Sequence, residues 1–294
     1  MAVGERDRIS GHMTTGHEWN GIKELNSPVP WPVWTFLTLA TLFAIGYWLL
    51  MPAWPLGRTY TKGLLGIDQR QVVAKQVGEA AMARSVWTRR IAAMDIDAIR
   101  ADPALMAIVR EDGRRLFGDN CAACHRAGAT GGDGFPNLTD NDWLWGGDAA
   151  TVTRTISGGV NAPQAGTRNS QMLAFGRDGM LDFRAIDNVA HYVLALSDPA
   201  QRTRPNQAAI LAGRTVFAAN CASCHGPNGR GNQALGAPNL ADQVWIYGSG
   251  DLASIYTTID RGRQGQMPAW AGRLSPLEIR ILTLYVLDRG AARP

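Results

Sequence analysis

The sequence has few cysteines: its 294 residues contain four, and all four lie in two short motifs. It also has little charge, since charged residues make up 18% of the chain and hydrophobic residues 46%. That balance excludes an intrinsically disordered chain. The net charge is only +4, and the basic residues form no stripe with interleaved aromatic residues, which excludes a nucleic-acid-binding protein. The length allows two domains of ordinary size.

Charge is absent altogether between residues 25 and 57. Within this segment the run WPVWTFLTLATLFAIGYWLLMPAW, which begins at Trp31, is long enough to cross the ~30 Å hydrocarbon layer as a helix. Tryptophans lie near both of its ends, as in an interfacial aromatic belt. A cleaved signal peptide would have a short basic start and a small-residue cleavage site, and neither is present here. We therefore predict a retained transmembrane anchor at residues 29–57.

Two copies of one domain follow the anchor. The stretch FGDNCAACHRAG from Phe117 returns as FAANCASCHGPNG from Phe217, one hundred residues later. Further on, FPNLTDNDWLW is matched by APNLADQVWIY, SQMLAFGR by GQMPAWAGR, and NVAHYVLALS by ILTLYVLDRG, always in the same order. An internal repeat of this kind predicts duplicated domains, which we place at residues 103–198 and 199–294.

The predicted secondary structure is all-α. Pro103 can begin a helix before the first motif, and Ser275 with Glu278 forms a capping box at the start of the last helix. The polar, alanine-rich stretch over residues 58–102 is predicted to be a helical spacer between the anchor and the repeats. No stretch alternates convincingly between apolar and polar residues, so no strand is predicted.

Three chemistries use paired cysteines. A thioredoxin-type dithiol has no use for the histidine that follows each pair. A zinc site could take four ligands from the two pairs, but the two histidines would again be unexplained. Covalent haem c accounts for every residue, because two thiols bind the porphyrin vinyl groups and the adjacent histidine ligates the iron. The predicted haem-binding residues are Cys121, Cys124 and His125 in the first copy and Cys221, Cys224 and His225 in the second.

The sixth iron ligand is predicted to be methionine in both copies. After His225 the chain has no further histidine and one methionine, Met267, so the second copy offers no other candidate unless its site is open. The first copy offers Met172, Met180 and His191. Alignment of QMLAF with QMPAW selects Met172 as the ligand. We then expect Met180 to fill a gap in the core and His191 to be a packed or surface residue.

Each copy resembles a class I cytochrome c domain, because the haem motif, a proline loop and a methionine loop occur in that family's order. Pro136 and Pro238 follow the two motif histidines by 11 and 13 residues. The resemblance implies that the backbone carbonyl of each proline binds the second ring nitrogen of its histidine. The first copy departs from the family at Leu173, where proline usually follows the ligand methionine, and its methionine loop is longer. Two six-coordinate haems leave no place for a substrate, which favours electron transfer.

The amino-terminal run TTGHEWNGIKELNSPVPWPVW from Thr14, followed later by AIGYWLLMPAWP, closely resembles subunit III of cbb(3)-type cytochrome c oxidases. That family combines one anchor, a spacer and two tandem class I cytochrome c domains. The resemblance implies electron transfer from a donor cytochrome c, through two haems c, to the monohaem subunit and on to the haem–copper catalytic subunit. With five histidines, two of them in the motifs, this chain has no oxygen-reducing centre of its own. Catalysis and proton pumping are expected of its partners.

Two other classes of protein remain open. A dihaem peroxidase would need one haem to lose its sixth ligand, and the matched methionine loops argue against that. A free-standing membrane-anchored dihaem carrier would act without an oxidase, and the amino-terminal resemblance argues against it. Haem chemistry alone does not exclude the carrier.

Haem attachment also predicts the topology. In bacteria haem is joined to thiols on the periplasmic side, so we expect residues 58–294 to lie in the periplasm and residues 1–28 in the cytoplasm, with the anchor in the inner membrane. The flanking lysines and arginines lean slightly the other way, but large domains translocate largely regardless of flanking charge. An oxidising compartment also fits the absence of cysteine outside the two motifs.

Overall fold

The computed structural model describes residues 4–202 and 205–290, and helices make up nearly all of their regular secondary structure. The chain forms two compact units, residues 1–83 and 84–294. In chain order the elements are β1 (Thr14–Trp19), β2 (Ile22–Leu25), α1 (Trp31–Leu50), α2 (Gln69–Ala93), α3 (Ile96–Arg100), α4 (Pro103–Asn120), α5 (Ala122–His125), α6 (Ala149–Gly158), α7 (Phe183–Ser197), α8 (Gln207–Asn220), α9 (Ala222–His225), α10 (Leu252–Arg261) and α11 (Pro276–Gly290). A 3₁₀ turn, Pro199–Gln201, follows α7.

The first unit contains a β-hairpin that the sequence analysis did not predict. Strands β1 and β2 pair antiparallel through a two-residue turn at Asn20 and Gly21, whose φ angles are +51° and +86°. Asn-Gly is the most favourable dipeptide for such a turn, because both residues tolerate positive φ. Nearly all side chains of the hairpin are exposed. No buried face therefore imposes an alternation of apolar and polar residues on these strands.

Helix α1 coincides with the core of the predicted anchor. In the described part of the chain it is the one helix long and apolar enough to cross a membrane, with a mean hydropathy of 1.7. It begins after Pro30 and ends at Leu50, two residues before Pro52, which cannot continue a helix. None of its side chains is buried by the protein. These properties fit a membrane anchor.

Helices α2 and α3 lie within the predicted spacer, so its helical character is confirmed over most of its length. The end of the spacer is also part of a core. Ile91 in α2 and Ile99 in α3 are fully buried in a cluster with residues of α4. The last part of the spacer, from residue 84 on, therefore belongs to the second unit and contributes to its core.

The second unit has two hydrophobic clusters. In one, α11 packs against α4 and α6; in the other, α7 packs against α8 and α10. We call the first group the outer half, which comprises residues 84–160 and 265–290, and the second group the inner half, which comprises residues 170–262. The inner half is inserted between the two segments of the outer half.

Each half draws helices from both copies of the repeat. The outer-half core joins Phe117 of α4, from the first copy, to Leu284 of α11, from the second. The inner-half core joins Val189 of α7, from the first copy, to Phe217 of α8, from the second. The domain limits at residues 198 and 199 stay a prediction about the repeat, while the helix contacts run across them.

The predicted helix starts are confirmed. Helix α4 begins at Pro103, and the carboxylate of Asp102 accepts two backbone N–H groups of its first turn. At α11 the carboxylate of Glu278 accepts the N–H of Ser275 at 2.7 Å, and the Ser275 hydroxyl accepts the N–H of Glu278 at 3.3 Å. The two caps satisfy donors that a helix start leaves unpaired.

Glycines permit the close helix crossings of both halves. A Cβ atom on Gly113 in α4 would lie 2.7 Å from the Cβ of Tyr285 in α11. A Cβ atom on Gly213 in α8 would lie 2.0 Å from the carbonyl oxygen of Asn188 in α7. The two glycines occupy the same position of the repeat, and both contacts are too short for any side chain. The helix before each haem motif, α4 or α8, therefore contacts its partner helix directly through the backbone of this glycine.

The Gly113→Ala substitution is expected to destabilise the protein by ~1–3 kcal/mol, because the added methyl group forces α11 away from α4. Gly118→Ala in the same helix is the control, since no atom lies within 4 Å of its added Cβ. That variant should be as stable as the parent or more stable by up to ~1 kcal/mol, because alanine favours a helix over glycine. Denaturant unfolding of the haem-loaded chain measures both. Equal stabilities of the two variants would contradict the close crossing.

Candidate haem sites

Both Cys-x-x-Cys-His motifs form one tight helical turn. The N–H of Cys121 donates to the carbonyl of Phe117 at 2.8 Å, and the carbonyl of Cys121 accepts the N–H groups of Cys124 and His125 at 3.2 and 2.9 Å. The second motif repeats this turn around Cys221, with distances of 3.1 and 2.9 Å. Each turn therefore carries two thiols and an imidazole on one short helix, α5 or α9.

Each motif histidine is held by a proline carbonyl. Nδ1 of His125 lies 2.9 Å from the carbonyl oxygen of Pro136, and Nδ1 of His225 lies 3.0 Å from that of Pro238. A carbonyl can only accept, so Nδ1 donates its proton and Nε2 keeps a free lone pair. Burial lowers the pKa of both histidines against the opposing effect of this hydrogen bond, so both imidazoles are neutral at pH 7. A neutral, oriented imidazole is a prepared metal ligand.

Glycines allow the proline carbonyls to come this close. Gly131 has a φ angle of +66° and donates its N–H to the carbonyl of His125 at 3.0 Å. A Cβ atom there would lie 2.4 Å from the carbonyl oxygen of Phe135. At Gly231, with φ of +80°, the corresponding distance would be 2.6 Å. Only glycine fits both the conformation and the space, so the loop after each motif folds back over its own histidine.

The cysteines favour haem attachment over the two other chemistries. Burial raises the pKa of Cys121 and of Cys221 to about 11, and the neighbouring thiol adds to the effect. A redox-active dithiol needs a lowered thiol pKa. Within residues 4–202 and 205–290, no three His, Cys, Asp or Glu side chains converge where they could hold a metal ion, so a zinc cage finds no support there. Two thiols beside a neutral imidazole fit haem c.

The two candidate methionines lie where the repeat did not predict them. Met267 packs against the outer-half core, and its backbone pairs with Val160 through two N–H to carbonyl bonds of 2.9 Å. Met172 packs against the inner-half core and pairs with Arg263 through bonds of 2.8 and 3.0 Å. The repeat predicts that each methionine pairs with the histidine of its own copy. The packing instead places Met267 in the cluster that contains Cys121 and Met172 in the cluster that contains Cys221, so the ligand pairing stays a prediction that the packing does not favour.

Glycines also hold the methionine strands in place. Gly159 follows α6 with a φ angle of +68°, and a Cβ atom on it would lie 2.4 Å from the carbonyl oxygen of Met267. Gly262 follows α10 with the same φ angle, and its Cβ would lie 2.5 Å from the carbonyl oxygen of Met172. The glycine at the end of each helix thus allows the backbone of the methionine strand to lie in direct contact with the helix end.

Met180 and His191, the other two ligand candidates of the first copy, lie in different environments. Met180 is 52% exposed, so the expectation that it fills the core is wrong; it lies in the irregular segment before α7, where no helix covers it. His191 is partly buried in α7, and its Nδ1 lies 3.1 Å from the carbonyl oxygen of Asp187. That position agrees with the expected packed residue.

Hydrogen bonds between the halves join the loops that follow the two haem motifs, and the sequence did not predict these bonds. The N–H of Gly134 donates to the carbonyl of Ile246 at 2.7 Å, and the N–H of Gly248 donates to the carboxylate of Asp133 at 2.8 Å. The last two residues are 115 positions apart. No local signal could have indicated these bonds, because they join irregular loops that are distant in sequence.

A carboxyl group with an unusual pKa lies near this junction. Burial, together with the nearby carboxylates of Asp242 and Asp140, raises the pKa of Asp142 to about 6. Asp142 belongs to the first copy and Asp242 to the second. A group that ionises only above about pH 6 therefore lies where the two halves meet.

Two Cys-x-x-Cys-His turns, each with a neutral histidine and with a methionine strand in the same half, define a c-type cytochrome with two haem sites. Residues 110–197 match the family model for cytochrome c. Residues 208–286 match the model for subunit III of cbb3-type cytochrome c oxidase, and residues 11–58 match the N-terminal domain of cytochrome oxidase cbb3, FixP.

The chain belongs to the FixP and CcoP family of cbb3-type cytochrome c oxidase subunits. It is 45% identical over 291 residues to the FixP subunit of Bradyrhizobium diazoefficiens, with 98% of each chain covered. It is 42% identical over 301 residues to the CcoP subunit of Azospirillum brasilense, with both chains covered completely. To the CcoP subunit of Cereibacter sphaeroides it is 42% identical over 280 residues, 94% of each chain. It is thus a dihaem electron-transfer subunit, carries haem c and forms a complex with other oxidase subunits.

The Gly159→Ala substitution is expected to displace the Met267 strand and to lower one haem midpoint potential, because loss of a methionine ligand lowers the potential. The methionine-to-iron charge-transfer absorption of the ferric protein should decrease in parallel. Gly166→Ala is the control: its φ angle of +82° imposes a similar backbone strain, but no atom lies within 4 Å of the new Cβ. Redox titration and visible spectra of the full chain measure both effects. A Gly159→Ala protein with both potentials unchanged would argue against the contact.

Proposed function

We propose that this chain receives electrons from a donor cytochrome c and delivers them to the monohaem subunit, and through it to the haem–copper subunit that reduces oxygen. The observation that carries this proposal is the presence of two equivalent sets of haem-binding residues in one compact unit, each with a histidine and a methionine. A methionine in each set favours electron transfer over peroxide chemistry, which needs an open position. The similarity to oxidase subunits along nearly the whole chain supports the same partners.

Haem c supplies a one-electron iron couple when it is bound. The chain attaches it, orients it and sets its ligands. Thioether bonds would form at the motif cysteines, Cys121 and Cys124 in the outer half and Cys221 and Cys224 in the inner half. Because Pro136 and Pro238 hold the Nδ1 protons of the two histidines, each Nε2 lone pair stays available for the iron.

The axial ligands are exchanged between the repeats in this proposal. Met267 would serve with His125 in the outer half, and Met172 with His225 in the inner half. The support is that each methionine packs in the half that contains that histidine. Leu173 follows Met172 where the family usually has proline, but the Met172 strand is still held by two backbone hydrogen bonds.

A chain that can attach haem only in the inner half distinguishes the two pairings. In a Cys121→Ala, Cys124→Ala background, Met172→Ala should abolish methionine ligation and lower the midpoint potential, because methionine raises it. Met267→Ala is the matched control and should leave the remaining haem unchanged. Visible spectra and redox titration report the result. The reverse outcome would establish pairing within each repeat.

The proposed topology places residues 58–294 in the periplasm and residues 1–28 in the cytoplasm, with α1 as a single span of the inner membrane. The support is chemical: haem is attached to thiols outside the cytoplasm, and an oxidising compartment suits a chain whose cysteines all serve haem. In this arrangement the spacer leads from the membrane to the haem-binding unit.

Purification of a tagged chain from its native membranes in mild detergent tests the partners. The product is expected to contain haem b beside haem c and to consume oxygen when a reduced cytochrome c is supplied. Membranes with an untagged chain are the control for carry-over. Haem c alone, at two per chain and without oxygen consumption, would favour the free-standing carrier, and peroxide consumption by that product would favour the peroxidase.

A further inference from the structure

The chain folds back on the end of α1 in a segment that the electron-transfer role does not use. Residues 52–65, which we call the return segment, form a short hairpin in which the N–H of Thr61 donates to the carbonyl of Trp54 at 2.9 Å. The Thr61 hydroxyl accepts the N–H of Trp54 at 3.1 Å. The return segment therefore has a defined fold, although it contains no helix.

The return segment completes the end of α1. The N–H of Leu64 donates to the carbonyl of Leu49 at 2.9 Å, and the N–H of Leu65 donates to that of Leu50 at 3.1 Å. A helix leaves its last carbonyls unpaired, and an unpaired carbonyl is costly in a bilayer. Gly63 has a φ angle of +65°, and a Cβ atom on it would lie 2.4 Å from the carbonyl oxygen of Leu50. Glycine thus lets the return segment contact the last turn of α1.

A cavity of about 470 Å³ lies between the last turns of α1 and the return segment. This volume is within the range of small-molecule sites. Its walls are mainly aliphatic and aromatic, and they include Ile45, Trp48 and Leu49 from α1 and Trp54, Gly63 and Leu64 from the return segment. The ring centroids of the two tryptophans are 5.1 Å apart, and each of these side chains is about half exposed. The protein therefore presents an apolar concave surface beside its anchor.

The depth of this cavity follows from the length of α1. The 20 residues of the helix span about 30 Å, which is the thickness of the hydrocarbon layer. Ile45 precedes the last residue of the helix, Leu50, by five positions, so the cavity reaches about 8 Å into that layer. Trp48 and Trp54 then lie near the boundary, where tryptophans of membrane proteins are enriched. Acyl chains are the solvent at this depth.

One cation lies at the rim of the cavity. Lys62 stands between Thr61 and Gly63, which both line the cavity, and it is exposed. No ion pair within residues 4–83 includes Lys62. A lysine near the membrane boundary extends its ammonium group to the level of the headgroups. An apolar cavity with a cation at its rim fits a ligand that has both a hydrocarbon chain and an anionic group.

We propose that this cavity binds one acyl chain of an anionic phospholipid and that Lys62 binds the phosphate of the same molecule, an inference that rests on α1 as the membrane anchor. From the bilayer interior to its surface, the lipid presents its chain and its phosphate in the order of the cavity and the cation. A basic residue at the membrane surface attracts anionic lipids. An apolar helix of a partner subunit fits the cavity alone and supplies no anion for Lys62. The lipid fixes the return segment at the membrane surface.

The Ile45→Trp substitution in the full, haem-loaded chain tests the cavity, because the larger side chain occupies it. Leu42→Trp is the matched control, since Leu42 is 60% exposed on the same helix and does not line the cavity. The chain is purified in detergent with added dioleoylphosphatidylglycerol, and native mass spectrometry counts the lipid molecules that stay bound. One lipid per chain is expected for the parent and for Leu42→Trp, and none for Ile45→Trp.

Lys62→Gln tests the cation. It should weaken the retention of phosphatidylglycerol about fivefold and remove the preference of the parent for this lipid over dioleoylphosphatidylcholine. Arg58→Gln is the control, because it removes the same charge from an exposed residue of the return segment whose neighbours do not line the cavity. That variant should keep the preference.

Retention of the lipid by Ile45→Trp, or its equal loss from Leu42→Trp, would overturn the proposal. Equal retention of the two lipids by the parent would exclude the role of Lys62. The same count on the assembled oxidase tests the alternative occupant: a lipid that is bound to the isolated chain and absent from the complex would show that a partner subunit covers the cavity. Carbonate extraction is done on every variant. Release of the parent from membranes would contradict the anchor itself, whereas a retained parent without bound lipid would contradict the cavity alone.

Discussion

The contact of α4 with α11 is the constraint on which the rest of the second unit depends. Helix α4 leads into the first haem motif, α11 is the last described helix, and the two meet where Gly113 exposes its backbone to Tyr285. These helices lie near opposite ends of the unit in sequence. Their contact brings those two parts of the chain together, and the elements of the inner half lie between them in sequence. The inner half is consequently an insertion in the outer half, and each methionine strand lies with the other copy's histidine.

Close contacts between a glycine and the backbone of another segment recur throughout the haem sites. Gly131 and Gly231 admit the proline carbonyls that fix the histidines, and Gly159 and Gly262 admit the methionine strands. Backbone contacts thus fix the positions of the histidines and of the methionine strands in both halves. Fixed side-chain positions suit an electron carrier, and the bond between Gly134 and Ile246 joins the two haem loops within one unit.

Signals that act within one element were readable in the sequence. The anchor, the capping box at Ser275 and the helix start at Pro103 depend on length and neighbouring residues, and the structure has all three. The Asn20–Gly21 hairpin carried a local signal as well, which an exclusive reliance on alternation missed. No local signal indicated the exposure of Met180, because the burial of a loop residue depends on which distant elements pack against it.

By itself the sequence determined the haem chemistry: the spacing of two thiols and a histidine places them on one turn whatever the rest of the chain does, and no cysteine is left for another use. Only the tertiary structure decided which other segments of the chain pack with each of those turns. The two copies have corresponding helices with similar apolar faces, so local patterns cannot distinguish packing within a copy from packing between copies. The choice lies in long-range contacts and in loop lengths.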